Sequence, residues 1–213
     1  MEENVFDKIA PGWYNQRHRS IFKRELEDLA RRWKNGKLLN IGCAHGSDFV
    51  PFKDNFELYG VDSSVEMIKL AIKYSQKFGF CANLQVADAT HLPYCDNTFD
   101  WAIAVATFHH MKSIEAREAA FDEMRRVIKP GGEGFITVWN RFQPRFWFNR
   151  KETMVPWKTK GETVYRYYYL FSYPEIEKMV RLAGFTLIRS FSESSYRFPI
   201  KFFSRNICLL VKK

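Results

Sequence analysis

Cysteine is scarce, with four in 213 residues, at positions 43, 81, 95 and 208. No two of them form a C-x-x-C pair, so neither a cysteine-rich zinc site nor any other metal site is expected. Nothing in their scatter resembles a disulfide framework, which suits a reducing cytosol, and a cytoplasmic location is expected. Long apolar runs are also missing, and the stretch from Met1 to Asn4 is acidic. No signal peptide, membrane-spanning helix or membrane partner is therefore expected. Repeats, low-complexity tracts and interdomain linkers are absent, and residues 1–213 read as a single domain. Acid is in deficit, with 24 Asp and Glu against 33 Lys and Arg. The resulting charge of +9 makes a polyanion a natural partner.

Aromatic residues, by contrast, are abundant: 20 Phe, 10 Tyr and 6 Trp. Apolar residues at steps of three and four predict a helix from a Ser20 cap to about Trp33. Strands are predicted at 37–41, 57–62, 83–87, 99–105 and 133–139. Helices are predicted at 64–78 and 114–128, and Pro130–Gly132 forms a tight turn. This alternation predicts a parallel sheet covered on both faces. The tail departs from the rhythm. Residues 141–169 read as a basic, aromatic insertion without clear periodicity, followed by a helix at 174–183. Two strands, 185–191 and 206–212, then suggest an antiparallel final pair. The predicted class is α/β: a Rossmann-like, seven-stranded, mostly parallel sheet whose last strand is antiparallel. The third strand falls at a sheet edge, and Phe80–Val86 carries neither charge nor proline.

The first strand ends in small residues at Gly42, Ala44 and Gly46, which let a backbone turn sharply and approach a ligand. The helix after them would offer its N–H groups to a carboxylate. Asp62 lies 20 residues beyond Gly42, at the end of the second strand, where an acid can accept from both ribose hydroxyls. A nicotinamide dehydrogenase would share both features. Asp88, at the end of the third strand, separates the cases, because it could take an adenine amino group. Cys43 reads as a small packing residue. Asp100 reads as a residue that orients a strand. His109 and His110 follow the fourth strand at the ligand edge of the sheet. Arg141, Arg145, Arg150, Lys151, Lys158, Lys160 and Arg166 interleave with aromatics, a mixture suited to phosphate contacts and base stacking.

The order of these pieces over residues 36–140 resembles the class I S-adenosylmethionine-dependent methyltransferases. Two positions depart from that family. Asn40 stands where an acid is usual, which is expected to weaken attraction for the donor's positive groups. Ala44 replaces the middle glycine and is expected to fit with a negative φ. A narrower likeness covers nearly the whole chain. Val5–Pro11 followed by Arg17, the His109–His110 pair, Val155–Trp157 and Tyr165–Phe171 are similar to segments of the tRNA wobble-uridine carboxymethyl methyltransferases.

The resemblance implies S-adenosylmethionine as donor, tRNA as acceptor and esterification of a 5-carboxymethyl group on the wobble uridine. It implies donor contacts from Gly42, Cys43, Ala44, Gly46, Asp62, Ser63, Asp88, Ala89 and Ala106. Arg17 and His109 take the catalytic positions, and Arg141, Arg145, Arg166 and Tyr167 the substrate-binding ones. A small zinc-binding activator subunit is implied as partner. Two other readings stay open. One is a class I methyltransferase for a small quinone-like or lipid-like acceptor, with His109 or His110 as base. The other is a catalytically silent donor-binding or RNA-binding subunit.

Overall fold

The computed structural model describes residues 4–148, 150–159 and 161–213. Lys160, expected within the basic stretch, lies outside the described residues.

The chain opens on a helix absent from the sequence reading, α1 (Val5–Gln16), which holds Pro11 inside it. Asn4 starts α1, its side chain accepting from the Phe6 amide at 3.0 Å. Helix α2 (Lys23–Trp33) begins later than expected. The Ser20 hydroxyl accepts from the Phe22 amide at 3.1 Å and so closes the preceding turn instead of capping the helix. Strands β1 (Gly36–Ile41), β2 (Phe56–Asp62), β3 (Asn83–Val86) and β4 (Phe99–Val105) fall where apolar runs place them. Between β2 and β3 runs α3 (Val65–Phe78), capped by the Ser64 hydroxyl and ended by Gly79 at φ +67°. Helix α4 (Ile114–Val127) follows β4. Strand β5 (Ile128–Trp139) starts before its turn signal. Pro130–Gly132 loops out within it, because Phe99 pairs with Ile128 and Trp101 already pairs with Glu133.

The segment read as aperiodic contains a hairpin, β6 (Glu152–Lys158) and β7 (Thr163–Tyr169). Alternation is present in its burial but inverted in its chemistry. Arg166 sits on the buried side of β7 and Tyr165 on the exposed side, so hydropathy shows no period of two. Helix α5 (Tyr173–Leu182) and strands β8 (Thr186–Ser192) and β9 (Asn206–Lys212) complete the chain.

The main sheet has seven strands in the order β3-β2-β1-β4-β5-β9-β8. Only β9 runs antiparallel to its neighbours. Neighbouring residues on one strand serve opposite faces, as a period of two requires. Leu39, Ile136 and Leu209 join one core with α4 and α5, while Leu38, Phe135 and Leu210 join the other with α2 and α3. Glu133 ties α2 to β5 by accepting from Arg32 at 2.6 and 2.8 Å and from the Trp33 indole at 2.8 Å. Asp100 accepts from the Lys37 amide and from Lys129, the strand-orienting role expected of it. The reversal of strand order at β1 and β4 leaves a crevice beyond the carboxyl ends of the strands, and ligands bind sheets of this kind there.

Candidate functional site

The crevice is a cleft of about 2000 Å³. Its first wall is the turn after β1. Gly42 has φ +71°, and a Cβ there would lie 2.4 Å from the Thr107 side chain, so the position admits glycine alone. The Gly42 and Cys43 amides both donate to the Val61 carbonyl, at 2.8 and 2.9 Å. Ala44 corrects the expectation of a negative φ, since its φ is +47°. Left-handed backbone costs an alanine about 1 kcal/mol, and the Ala44 amide is held there by donating to Asp62 Oδ2 at 2.8 Å. Gly46, at φ +85°, leads into a 3-10 turn over Ser47–Phe52, where an α-helix was expected to present its amides.

Asp62 joins two parts of this wall. Its other oxygen, Oδ1, accepts from the Ser64 amide at 2.9 Å, at the start of α3. Burial pushes its carboxyl up to about 6, against the pull of those two amides. Helix α1 docks on the same place. Asp7 accepts from the Ser64 hydroxyl at 2.5 Å and from the Glu66 amide at 3.0 Å, and Asn4 donates to Ser63. At the end of β3, Asp88 Oδ1 accepts from the Thr90 amide and hydroxyl. Burial raises the Cys43 thiol well above its usual range, so it packs and does not ionise.

The second wall follows β4. Ala106, at φ +56°, donates its amide to Thr137. The turn Phe108–His110 then presents the paired histidines. His109 is 1% exposed, and its Nδ1 accepts from the Trp139 amide at 3.2 Å. Nδ1 therefore carries a lone pair, and the ring proton sits on Nε2. Burial first, then His110 and Arg166, push the pKa of His109 well below its usual range, so the ring is neutral. His110 has the opposite arrangement. Its Nδ1 lies 2.9 Å from the Tyr167 carbonyl and must donate to it, leaving a lone pair on Nε2. Burial lowers His110 to about 4.

The hairpin and α1 close over these walls. Trp13 of α1 packs on Trp157 of β6 with ring centres 5.5 Å apart. Tyr168 of β7 stacks on Trp139 at 4.0 Å and on His109 at 4.9 Å. Arg166 is 5% exposed and lies over the Trp157, Tyr168 and Trp13 rings at 5.0, 5.3 and 5.7 Å. Its Nε has no hydrogen-bond partner, and among the described residues no carboxylate pairs with it. Burial, with Arg17 and Arg145 nearby, depresses its pKa. Arg17 lies over Trp13 at 4.4 Å.

Most of the expected site residues converge. Gly42, Cys43, Ala44, Asp62, Ser63, Asp88, Ala89, Ala106, Arg17, His109, Arg145 and Tyr167 all line the cleft. Gly46 shapes the turn without lining it, Arg166 lies beneath the hairpin, and Arg141 faces away from the cleft, its backbone amide bonded to Phe171. Sequence reasoning missed Asp7 and His45. His45 is 1% exposed, and neither ring nitrogen meets a protein partner. Its position between Ala44 and Gly46 was the available signal. Asn40 is fully buried at the base of the turn, with both amide atoms equally unpartnered. A glycine cradle, a carboxylate at the end of β2 and unpartnered buried polar atoms fit the adenosyl and amino-acid parts of S-adenosylmethionine. Among the described residues no group of His, Cys, Asp or Glu could hold a metal, and no helix is long and apolar enough to cross a membrane.

A family model described as a methyltransferase domain matches residues 39–136. The chain is similar to the tRNA (carboxymethyluridine(34)-5-O)-methyltransferase of Arabidopsis thaliana, at 34% identity over 137 residues, or 63% of this chain and 31% of the relative. It is 26% identical over 212 residues to the Schizosaccharomyces pombe protein of the same name, covering 86% of this chain and 88% of that one. The chain spans about a third of the length of the first curated relatives it matches. A solved complex between the Haloferax volcanii Trm112 methyltransferase activator and a methyltransferase contains the same fold. The match covers 100% of this chain and 99% of that chain, with a TM-score of 0.66 at 15% identity.

Proposed function

Because the chain is a class I S-adenosylmethionine-dependent methyltransferase domain, we propose that it methylates tRNA, and that its acceptor is a carboxymethyl group on the wobble uridine, which it converts to the methyl ester. The donor supplies a methyl group on a positively charged sulfur, and a carboxylate acceptor is already ionised at neutral pH. The site then has to hold and orient an anion and keep water away. The observation that carries this reading is the proton on His109 Nε2, set by the Trp139 amide at Nδ1. A neutral imidazole in that state donates at Nε2 and cannot take a proton there. Arg17 lines the cleft beside it, and Arg166 places a cation without a carboxylate beneath Tyr168. Two cations and a fixed donor suit a carboxylate. Tyr168 and Trp139 wall the site against water.

The names of the Arabidopsis and fission-yeast relatives support the same acceptor. The open edge of β3 supports an activator subunit as partner. One side of β3 pairs with β2, and the other has no strand neighbour. The archaeal relative is itself seen with an activator.

Incubation of the chain, alone and with an activator, with labelled donor and total tRNA, followed by nucleoside analysis, tests the proposal. Label in a methyl ester that mild alkali releases from the wobble nucleoside is expected. A second reading rests on His110, whose Nε2 lone pair could serve as base for a small quinone-like acceptor. Label confined to a small organic fraction would establish that reading instead.

A further inference from the structure

Two segments far apart in sequence form one surface beside the cleft mouth. Phe142 stacks on Phe202 at 4.4 Å, and Trp147 packs on Phe203 at 6.0 Å. The frame beneath is fixed by hydrogen bonds. The Asn140 side chain donates to the Phe202 and Ser204 carbonyls at 2.7 and 2.8 Å, and Gln143 donates to the Arg205 carbonyl at 3.2 Å. Large apolar side chains nevertheless point outward. Phe148 is 99% exposed, Phe198 73% and Trp147 56%. Exposed aromatics gathered in one place mark a binding surface.

The charge on this surface says what it binds. Residues 141–150 and 194–205 together contain six Arg and Lys and no Asp or Glu. Arg145, Arg197, Lys201 and Arg205 are exposed, and no carboxylate pairs with them among the described residues. A second copy of this chain is a poor occupant, since a surface of one sign meeting itself sets cation against cation. Aromatic faces between unpaired cations match unstacked bases on a phosphate backbone. The surface also runs into the cleft, because Arg145, Ser195 and Arg205 line both.

We infer that residues 141–148 and 196–205 form a docking surface for single-stranded RNA flanking the methyl acceptor, with bases stacked on Phe148, Phe198 and Trp147 and phosphates held by Arg197, Lys201 and Arg205. This rests on the RNA reading above and adds the C-terminal segment, which contributes no residue to that reading. It explains why a chain of this size leaves such side chains uncovered. An unpaired loop, and not a duplex, is the matching shape, since only splayed bases reach aromatic faces.

The test measures affinity of the full chain for a hairpin RNA with an open loop, for the same stem closed as a blunt duplex, and for anionic phosphatidylserine vesicles. The hairpin is expected to bind tighter than the duplex or the vesicles. The double variant Phe148→Ala/Phe198→Ala is expected to lose roughly tenfold or more in hairpin affinity, the scale of lost base stacking. Arg197→Gln/Lys201→Gln is expected to flatten the salt dependence by about one unit of slope. These residues are exposed, and unchanged melting and donor binding would show that both variants fold. Hairpin affinity unchanged in both variants, equal binding of hairpin and duplex, or tighter binding to vesicles would each overturn the inference. Methylation of tRNA by the wild type is read separately. RNA binding through these residues without methyl transfer upholds the surface and removes the proposed reaction. Transfer with unchanged affinity in both variants does the reverse.

Discussion

Asp62 Oδ2 accepts the backbone amide of Ala44 at 2.8 Å, so the acid expected to hold the donor's ribose also pins the left-handed residue of the turn after β1. One carboxylate therefore serves the ligand and the loop that cradles it. Its lone pairs accept from hydroxyls only while it is ionised, and burial sets its pKa at about 6. Donor affinity is expected to be greatest above pH 6 and to fall up to about tenfold per unit below it. Asp62→Asn should bind about 1–3 kcal/mol more weakly at pH 7.5 and lose the pH dependence. Calorimetry at pH 5 and 7.5 on both proteins checks this, and an Asn variant that keeps wild-type affinity at pH 7.5 would remove Asp62 from the ribose.

The neighbouring residue gives the opposite kind of prediction. Ala44 holds φ +47° where glycine would sit without penalty. Ala44→Gly is expected to stabilise the donor-free protein by up to about 1 kcal/mol, the scale of the relieved left-handed strain less glycine's extra chain entropy. Thermal melting reads this directly. A melting temperature lowered by the change would mean that the Asp62 bond, and not side-chain strain, dominates the turn.

The order of strands, the crevice between β1 and β4, and the placement of Asp62 and Asp88 were legible because they follow from apolar runs and the residues that end them. Three features were not. The φ of Ala44 depends on a bond from a residue 18 positions away, which no local pattern contains. Hairpin β6–β7 was hidden because Arg166 is buried there while Tyr165 is exposed, the reverse of the usual alternation. The roles of the two histidines cannot be told apart in the string His109–His110. They differ only through Trp139, which donates to one ring, and the Tyr167 carbonyl, which accepts from the other.

That difference predicts the pH behaviour of the reaction. His109 is neutral through burial and already carries its Nε2 proton, so it does not titrate near neutrality. With an ionised acceptor, the single-turnover rate is expected to stay flat from pH 6.5 to pH 9, a range of order-of-magnitude choice around neutrality. His109→Ala should lower it by roughly ten- to a hundredfold at every pH, about 1.4–2.7 kcal/mol for a lost hydrogen bond to a charged group. His110→Ala should have the smaller effect on rate. If His110→Ala abolished a pH-dependent limb, His110 would be acting as base, and the small-acceptor reading would gain.

The last prediction concerns the open edge of β3. The Ala87 amide donates to the Asp62 carbonyl at 3.1 Å, and so points toward β2. Amides alternate along a strand, so those of Leu84 and Val86 point the other way, into the unpaired edge. An activator that adds a strand there would draw on these two donors. Leu84 packs against Gly60, where an added Cβ would meet its side chain at 2.9 Å, so Leu84→Pro also disturbs the core. Val86 is 50% exposed, and Val86→Pro removes an outward donor while leaving the pairing with β2 intact. Co-expression with an activator should raise the solubility and activity of the wild type. Val86→Pro should weaken the complex by roughly tenfold, close to one hydrogen bond of about 1 kcal/mol plus local distortion, with donor binding unchanged. A folded Val86→Pro chain that co-purifies with the activator at wild-type affinity would place the contact away from β3. A solitary wild-type chain that is monodisperse and fully active on tRNA would show that no activator is required.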